Sequence, residues 1–268
     1  MNVRRENILG VGVDVVDYDS ALRLILDSAR TGRSLSVSAL AVHGLMIAAR
    51  DRSYAALLSS LDIVAPDGQP VRWALNLLHG AGLSDRVYGP ELTARVVASL
   101  SQEGLPLYLY GSTEATLVSL RATLRRRHPR LVISGAEPSK FRRLTEEEVR
   151  DLAVRINESG ARCVLVGLGC PRQEEFVGAM SPLLHMPLLA VGAAFDYHAG
   201  NLRKPPQWMQ RRGLEWFWRL ILEPRRLWRR YLLLNPVFLA KLLRQLVLGR
   251  PAPIPPPDAY ARPSTFDG

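Results

Sequence analysis

VLVGLGCPRQEEF, residues 164–176, runs from aliphatic residues into two glycines and then into a helical pattern that opens at Pro171. Proline suits the first position of a helix, where an N–H would have no intrahelical partner. A strand that turns through Gly167 and Gly169 into a helix brings backbone N–H groups to one point, a setting that accepts an anion such as a diphosphate. The stretch falls short of a dinucleotide fingerprint: the third glycine is missing, and no acidic residue closes a second strand about 20 positions on. The next strand, read as PLLAVGAAFD, reaches only Asp196, which makes Asp196 a candidate ligand contact.

Outward from this stretch the same alternation repeats. Short apolar runs recur at ILGVGVDVV, LSVSALAV, DIVAP, LPLYLYG, RLVISGA, RCVLVGLG and PLLAVGA, each bounded by Gly, Pro or Asp. They read as buried strands. Helical patterns lie between them at 19–31, 44–60, 90–103, 113–128, 145–159 and 171–181. Strands alternating with helices predict an α/β fold whose largely parallel sheet is covered by helices on both faces. Ligands of such sheets bind at the carboxyl ends of the strands, so the loops there hold the candidate site.

The chain has 268 residues and a formal charge of +10. Residues 1–200 hold 22 Lys/Arg against 21 Asp/Glu, residues 201–250 hold 12 against 2, and residues 251–268 hold 1 against 2. The whole excess therefore sits in the middle of these segments, with Trp208, Trp216, Trp218 and Trp228. Tryptophan mixed with arginine suits an anionic membrane surface. The segment reads as two or three amphipathic helices broken at Pro224 and Pro236. These features divide the chain into an α/β catalytic domain at 1–200, a basic helical appendage at 201–250 and a Pro-rich, disordered tail at 251–268. No stretch of 18 uncharged apolar residues occurs, and MNVRRENILG lacks the apolar run of a secretory leader. A cytoplasmic protein touching the inner face of the plasma membrane peripherally is the expectation. Cys163 and Cys170 read as core residues rather than a zinc or redox pair.

Asp67, in IVAPDGQPV, follows a strand and precedes a helix. Its carboxylate can serve as a general base at the mouth of the sheet, or cap the next helix from an Asp-Gly turn. Gln173 and Glu174 fall on the first turn of the helix after the glycines, where they can contact a ligand; alternatively Glu174 only complements the helix dipole. Asp17-Tyr18-Asp19 has the form of a metal-holding Asp-x-Asp, but it precedes Ser20 and an apolar-periodic helix, so it reads as a helix start and no metal is expected. Arg219, Arg226 and Arg229, spaced by seven and three, fall near one helical face, either to neutralise a ligand's phosphates or to meet lipid headgroups. RATLRRRHPR at 121–130 lies in one helix without interleaved aromatics, which argues against nucleic acid. The histidines form no metal spacing; His43, just after a strand, is the one placed to touch a ligand.

Taken together, PDGQPV at 66–71, DRVYGPEL at 85–92, YLYGS at 108–112, VGLGCPRQEEF at 166–176, VGAAFDYHAGNLRKPPQW at 191–208 and GLEWFWRLILEPRRLWRRYL at 213–232 resemble the WecG/TagA/CpsF glycosyltransferase family. The resemblance covers roughly residues 8–240. It implies a Rossmann-like fold and an inverting transfer without metal or cofactor. The implied donor is a UDP-sugar such as UDP-N-acetylmannosamine, and the implied acceptor is an undecaprenyl-diphosphate-linked sugar in cell-envelope polysaccharide synthesis. By position, Asp67 matches the proposed base, Gln173 a residue of the active-site pocket, and Arg219, Arg226 and Arg229 the arginines that close over the diphosphate. Arg86, in the DRV motif, is a further contributor.

Two segments depart from the family pattern. Ala41-Val42-His43 stands where many members have Thr-x-Asn, and Asp67-Gly68-Gln69-Pro70 where many have Asp-Gly-x-Gly. Both affect the identity of the sugar more than the reaction, and His43 is a candidate replacement for the Asn. Two rival readings remain at this level: a nucleotide-dependent oxidoreductase, favoured by Gly167 and Gly169, and a non-catalytic membrane-binding module built on residues 201–250. A monomer and a homo-oligomer both fit these features.

Overall fold

The first apolar run does not form one buried strand. In the computed structural model, which describes residues 3–203, 206, 208, 209, 214–228, 232–249 and 253–259, it folds back on itself. Strands β1 (Arg5–Ile8) and β2 (Val11–Asp14) pair antiparallel. Leu9 and Gly10 between them have φ of 55° and 85°, the double left-handed conformation of a two-residue hairpin turn. Asn7 Oδ1 accepts from the Gly10 N–H at 2.8 Å and fixes the turn. The Arg5 guanidinium donates to both Asp14 oxygens at 2.8 Å, and Asp14 also accepts from Val64 N. This buried carboxylate pins the hairpin beside the sheet.

The sheet is six-stranded and parallel in every pairing: β3 (Leu35–Leu40), β4 (Ile63–Pro66), β5 (Leu107–Gly111), β6 (Ile133–Glu137), β7 (Cys163–Gly167) and β8 (Pro187–Ala190), in the order β4-β3-β8-β7-β5-β6. Along β5, Leu107 and Leu109 enter one core layer and Tyr108 and Tyr110 the other, the period-two split of a strand covered on both faces. One face is covered by α1 (Tyr18–Thr31), α5 (Gly89–Glu103), α6 (Glu114–Arg127) and α9 (Ala194–Ala199). The other is covered by α2 (Val42–Ala48), α3 (Arg52–Ser60), α4 (Gln69–His79), α7 (Glu146–Glu158) and α8 (Arg172–Met180). The architecture is the Rossmann-like α/β fold expected.

Local chemistry sets the boundaries. The pattern at 44–60 is two helices, because Asp51 starts α3 anew by accepting from Ser53 N and Tyr54 N at 2.9 and 3.1 Å. Asp17 caps α1 through Ser20 N at 2.8 Å, the helix-start role of that Asp-Tyr-Asp sequence. The last sheet run is shorter than its apolar sequence: β8 stops at Ala190, Gly192 turns at φ 53°, and Asp196 lies on α9 rather than at a strand end.

Beyond residue 200 come α10 (Glu215–Leu222), α11 (Pro224–Trp228) and α12 (Leu234–Leu248). Pro224 opens α11, as expected. Pro236, by contrast, does not break a helix: it sits in the first turn of α12, where its missing N–H costs nothing. Helix α12 buries Phe238 and Leu242 in the core, and Gln245 exchanges hydrogen bonds with Leu9 N (2.8 Å) and Asn7 O (3.0 Å) on the hairpin. Its other side leaves Leu239, Leu243, Leu246 and Val247 exposed. Among the described residues no helix is long and apolar enough to cross a membrane. Within the tail, Pro257–Ala259 forms a 3-10 turn against α3, and Ile254 approaches Gly12.

Candidate active site

A cavity of about 830 Å³ opens at the carboxyl edge of the sheet, lined from the ends of β3, β4, β7 and β8 and, opposite, from α10 to α12. This volume is that of a small-molecule site. Asp67, His43, Gly167, Gly169, Gln173, Glu174, Asp196 and Arg219 all line it. The described side of the site therefore gathers candidates from five separate segments of the chain. The Arg226 side chain and the whole of Arg229 lie outside the described residues, although the backbone of Arg226 belongs to α11.

Asp67 follows β4 directly, and its N–H donates to Leu40 O at 3.1 Å. It does not cap the next helix. That position belongs to Gly68, at φ 98°, and Asp67 lines the cavity wall. A β-carbon on Gly89 would stand 3.6 Å from Asp67 Oδ2 and 3.3 Å from Val191 O, so a larger residue there would crowd the carboxylate. His43 lies on the first turn of α2.

The two glycines of the β7 loop do different jobs. A β-carbon on Gly167 would meet the Phe195 ring at 2.6 Å, so Gly167 is needed for α9 to pack against the strand end. Gly169, at φ 79° with open space where its side chain would be, makes the turn that exposes backbone to the cavity. Gln173 locks this loop: its Oε1 accepts from Gly169 N at 3.2 Å, and its Nε2 donates to Glu174 Oε1 at 2.9 Å. Ser38 Oγ donates to the same Glu174 oxygen at 3.0 Å. Glu174 is 1% exposed, so it is no surface partner of the helix dipole. Burial pushes its carboxyl above the ordinary range, against the lowering effect of its hydrogen bonds from Gln173, Ser38 and Tyr54.

A cation and aromatic row crosses the mouth. Arg86 is buried behind the wall rather than on it, with its guanidinium 4.5 Å from the centre of the Tyr88 ring. Tyr88 meets Tyr197 edge to face at 6.2 Å, and Arg219 lies 6.0 Å from the Tyr197 ring centre. Glu223 approaches Arg219 at 3.6 Å, one helical turn away. The row couples the α/β body to α10 by contacts worth about 1 kcal/mol each. Tyr88 and Tyr197 fall within DRVYGPEL and VGAAFDYHAGNLRKPPQW but were not singled out as site residues, because only folding brings them together.

The fold and the cavity define an α/β enzyme with a ligand cleft at the carboxyl edge of a parallel sheet. The glycosyl transferase WecG/TagA/CpsF family matches residues 6–252, and the chain belongs to that family. It is a glycosyltransferase. It is similar to the N-acetylglucosaminyldiphosphoundecaprenol N-acetyl-beta-D-mannosaminyltransferase of Bacillus subtilis (strain 168), at 30% identity over 69% of this chain and 70% of that protein. It is also similar to the enzyme of the same description from Bacillus spizizenii, at 29% identity over 74% of this chain and 75% of that protein. The oxidoreductase and non-catalytic readings fall with this membership.

Proposed function

We propose that this glycosyltransferase moves N-acetylmannosamine, or a closely related sugar, from a UDP-sugar to a polyprenyl-diphosphate-linked N-acetylglucosamine, with inversion and without a metal ion. The acceptor and sugar are those in the names of the two Bacillus relatives. The observation that supports the reading is the lining of one cavity by a carboxylate, Asp67, a glycine-turned loop, Gly167–Gly169, and a cation, Arg219.

In this mechanism the acceptor hydroxyl gives its proton to Asp67 as its oxygen bonds to the anomeric carbon of the donor. The bond from that carbon to the diphosphate oxygen breaks, and UDP departs towards the Gly169 turn and Arg219. Departing diphosphate gathers negative charge, which a fixed guanidinium stabilises. Arg226 and Arg229 are assigned to the same task, while Arg86 holds Tyr88. Gln173 and Glu174 keep the loop in shape, and His43 and Asp196 contact the sugars or the ribose.

The exposed apolar side of α12, flanked by Lys241 and Arg244, rests on an anionic bilayer and brings the cleft to its lipid substrate at the inner membrane face. The test is to incubate the full chain with a set of UDP-sugars and a short-chain polyprenyl-diphosphate N-acetylglucosamine, with and without EDTA, reading released UDP and product mass. The expected result is transfer from UDP-N-acetylmannosamine that EDTA does not reduce. No product from any UDP-sugar would reject the reading.

A further inference from the structure

Besides Arg219, two further arginines, Arg50 and Arg172, line the cavity. Arg50 follows α2 and lines the same cavity as Asp67. Among the described residues no carboxylate lies within ion-pair distance of it, unlike Arg5, Arg30 and Arg155, which pair with Asp14, Glu103 and Glu137. Helix α2 packs against α12, and from α12 and the residue before it Leu233, Leu234 and Val237 reach the cavity wall. Leu233 and Val237, one helical turn apart, remain partly open to solvent. A cation with no carboxylate at ion-pair distance, beside an apolar strip, is the complement of an amphiphile with an anionic head and a hydrocarbon tail.

This juxtaposition rests on the proposed reaction and deepens it. Inversion requires the acceptor to approach the anomeric carbon from the side opposite the departing UDP. The α2–α12 wall offers that acceptor both a cation and an apolar strip. We propose that Arg50 binds the diphosphate of the acceptor, and that Leu233 and Val237 carry the first isoprene units out of the cavity towards the bilayer-facing side of α12. The acceptor sugar is then presented to Asp67 by its own lipid, with no sugar-specific contact needed at Arg50.

The experiment compares two acceptors of the same sugar with the full-length protein and UDP-N-acetylmannosamine: a farnesyl-diphosphate N-acetylglucosamine and an uncharged alkyl N-acetylglucosaminide. Arg50→Gln should raise KM for the diphosphate acceptor by roughly 10–100-fold, the loss of one charge-assisted contact. KM for the uncharged acceptor and the affinity for UDP by calorimetry should stay within about twofold, and Arg50→Lys should recover most of the loss. Farnesyl diphosphate binding in saturating UDP should weaken in Arg50→Gln by the same factor. Equal changes with both acceptors, or none with either, would overturn the assignment while leaving the reaction intact. A wild-type protein that transfers to neither acceptor would instead bring down the proposed function and this inference with it.

Discussion

On its sheet side the cavity is tied down atom by atom, with Gln173 clamped between Gly169 and Glu174, Gly68 and Gly192 at left-handed turns, and Gly167 in contact with Phe195. On its C-terminal side α10 and α11 meet the body through Arg219, Tyr197 and Leu227, and α12 anchors itself by Phe238, Leu242 and Gln245 while showing leucines to solvent. The first wall is preorganised for a ligand of fixed shape. The second is amphipathic, with shape left to what it meets. A transferase that joins a soluble nucleotide sugar to a lipid needs both kinds of surface in one cleft.

The contrast can be broken by unseating the second wall. Phe238 is 1% exposed, so Phe238→Ala should cost about 3–5 kcal/mol, read by chemical denaturation. A loss under about 1 kcal/mol would mean that α12 is a detachable appendage rather than part of the core. Next in size, Arg219→Ala should lower kcat/KM for the donor by roughly 10²–10³ while lowering the melting temperature by no more than about 2–4 °C, because the guanidinium serves the departing charge more than the fold. An unchanged kcat/KM would assign that charge to other residues.

A smaller effect sharpens the picture at the bilayer. Leu243→Glu with Val247→Glu, both at exposed positions, should abolish binding to phosphatidylglycerol vesicles while leaving turnover of a water-soluble acceptor and stability, to about 0.5 kcal/mol, unchanged. Vesicle binding that persists would move the membrane contact elsewhere.

The smallest effect tests the rigid wall by pH. Burial holds the Glu174 carboxyl above its ordinary value of 4.5. The folded state therefore keeps the proton that the unfolded chain releases, and stability falls as pH rises from that value towards the raised one. Glu174→Gln removes the titration but can still accept from Gln173 and Ser38. Its melting temperature should match the wild type near about pH 4 and exceed it by about 2–4 °C at about pH 8. A difference independent of pH would show that Glu174 is not the titrating group.

The parallel sheet was legible because aliphatic runs bounded by Gly, Pro or Asp have few alternatives to a buried strand. The hairpin was not, since Leu9-Gly10 is a turn hidden inside an apolar run, and its left-handed Leu9 has no sequence signal. Helix α9 was masked likewise: VGAAFDYHA is apolar enough for a strand, and only the Gly192 turn and the packing of Phe195 on Gly167 decide against it. Asp67, His43, Gly167, Gly169, Gln173, Glu174 and Asp196 came from reading the loops and helix starts near strand ends, and Arg219 from the spacing of the C-terminal arginines; all eight line the one cavity. Tyr88, Tyr197 and Arg50 were missed because their placement depends on packing between distant segments, such as α2 on α12.

Asp67→Asn keeps the size of the side chain and removes the base, which makes its turnover the most direct measure of the account. With UDP-N-acetylmannosamine and the diphosphate-linked acceptor, kcat should fall by roughly 10²–10⁴ while the calorimetric affinity for UDP stays within about twofold. Turnover close to wild type, or a loss of UDP binding that matches the loss of rate, would contradict it.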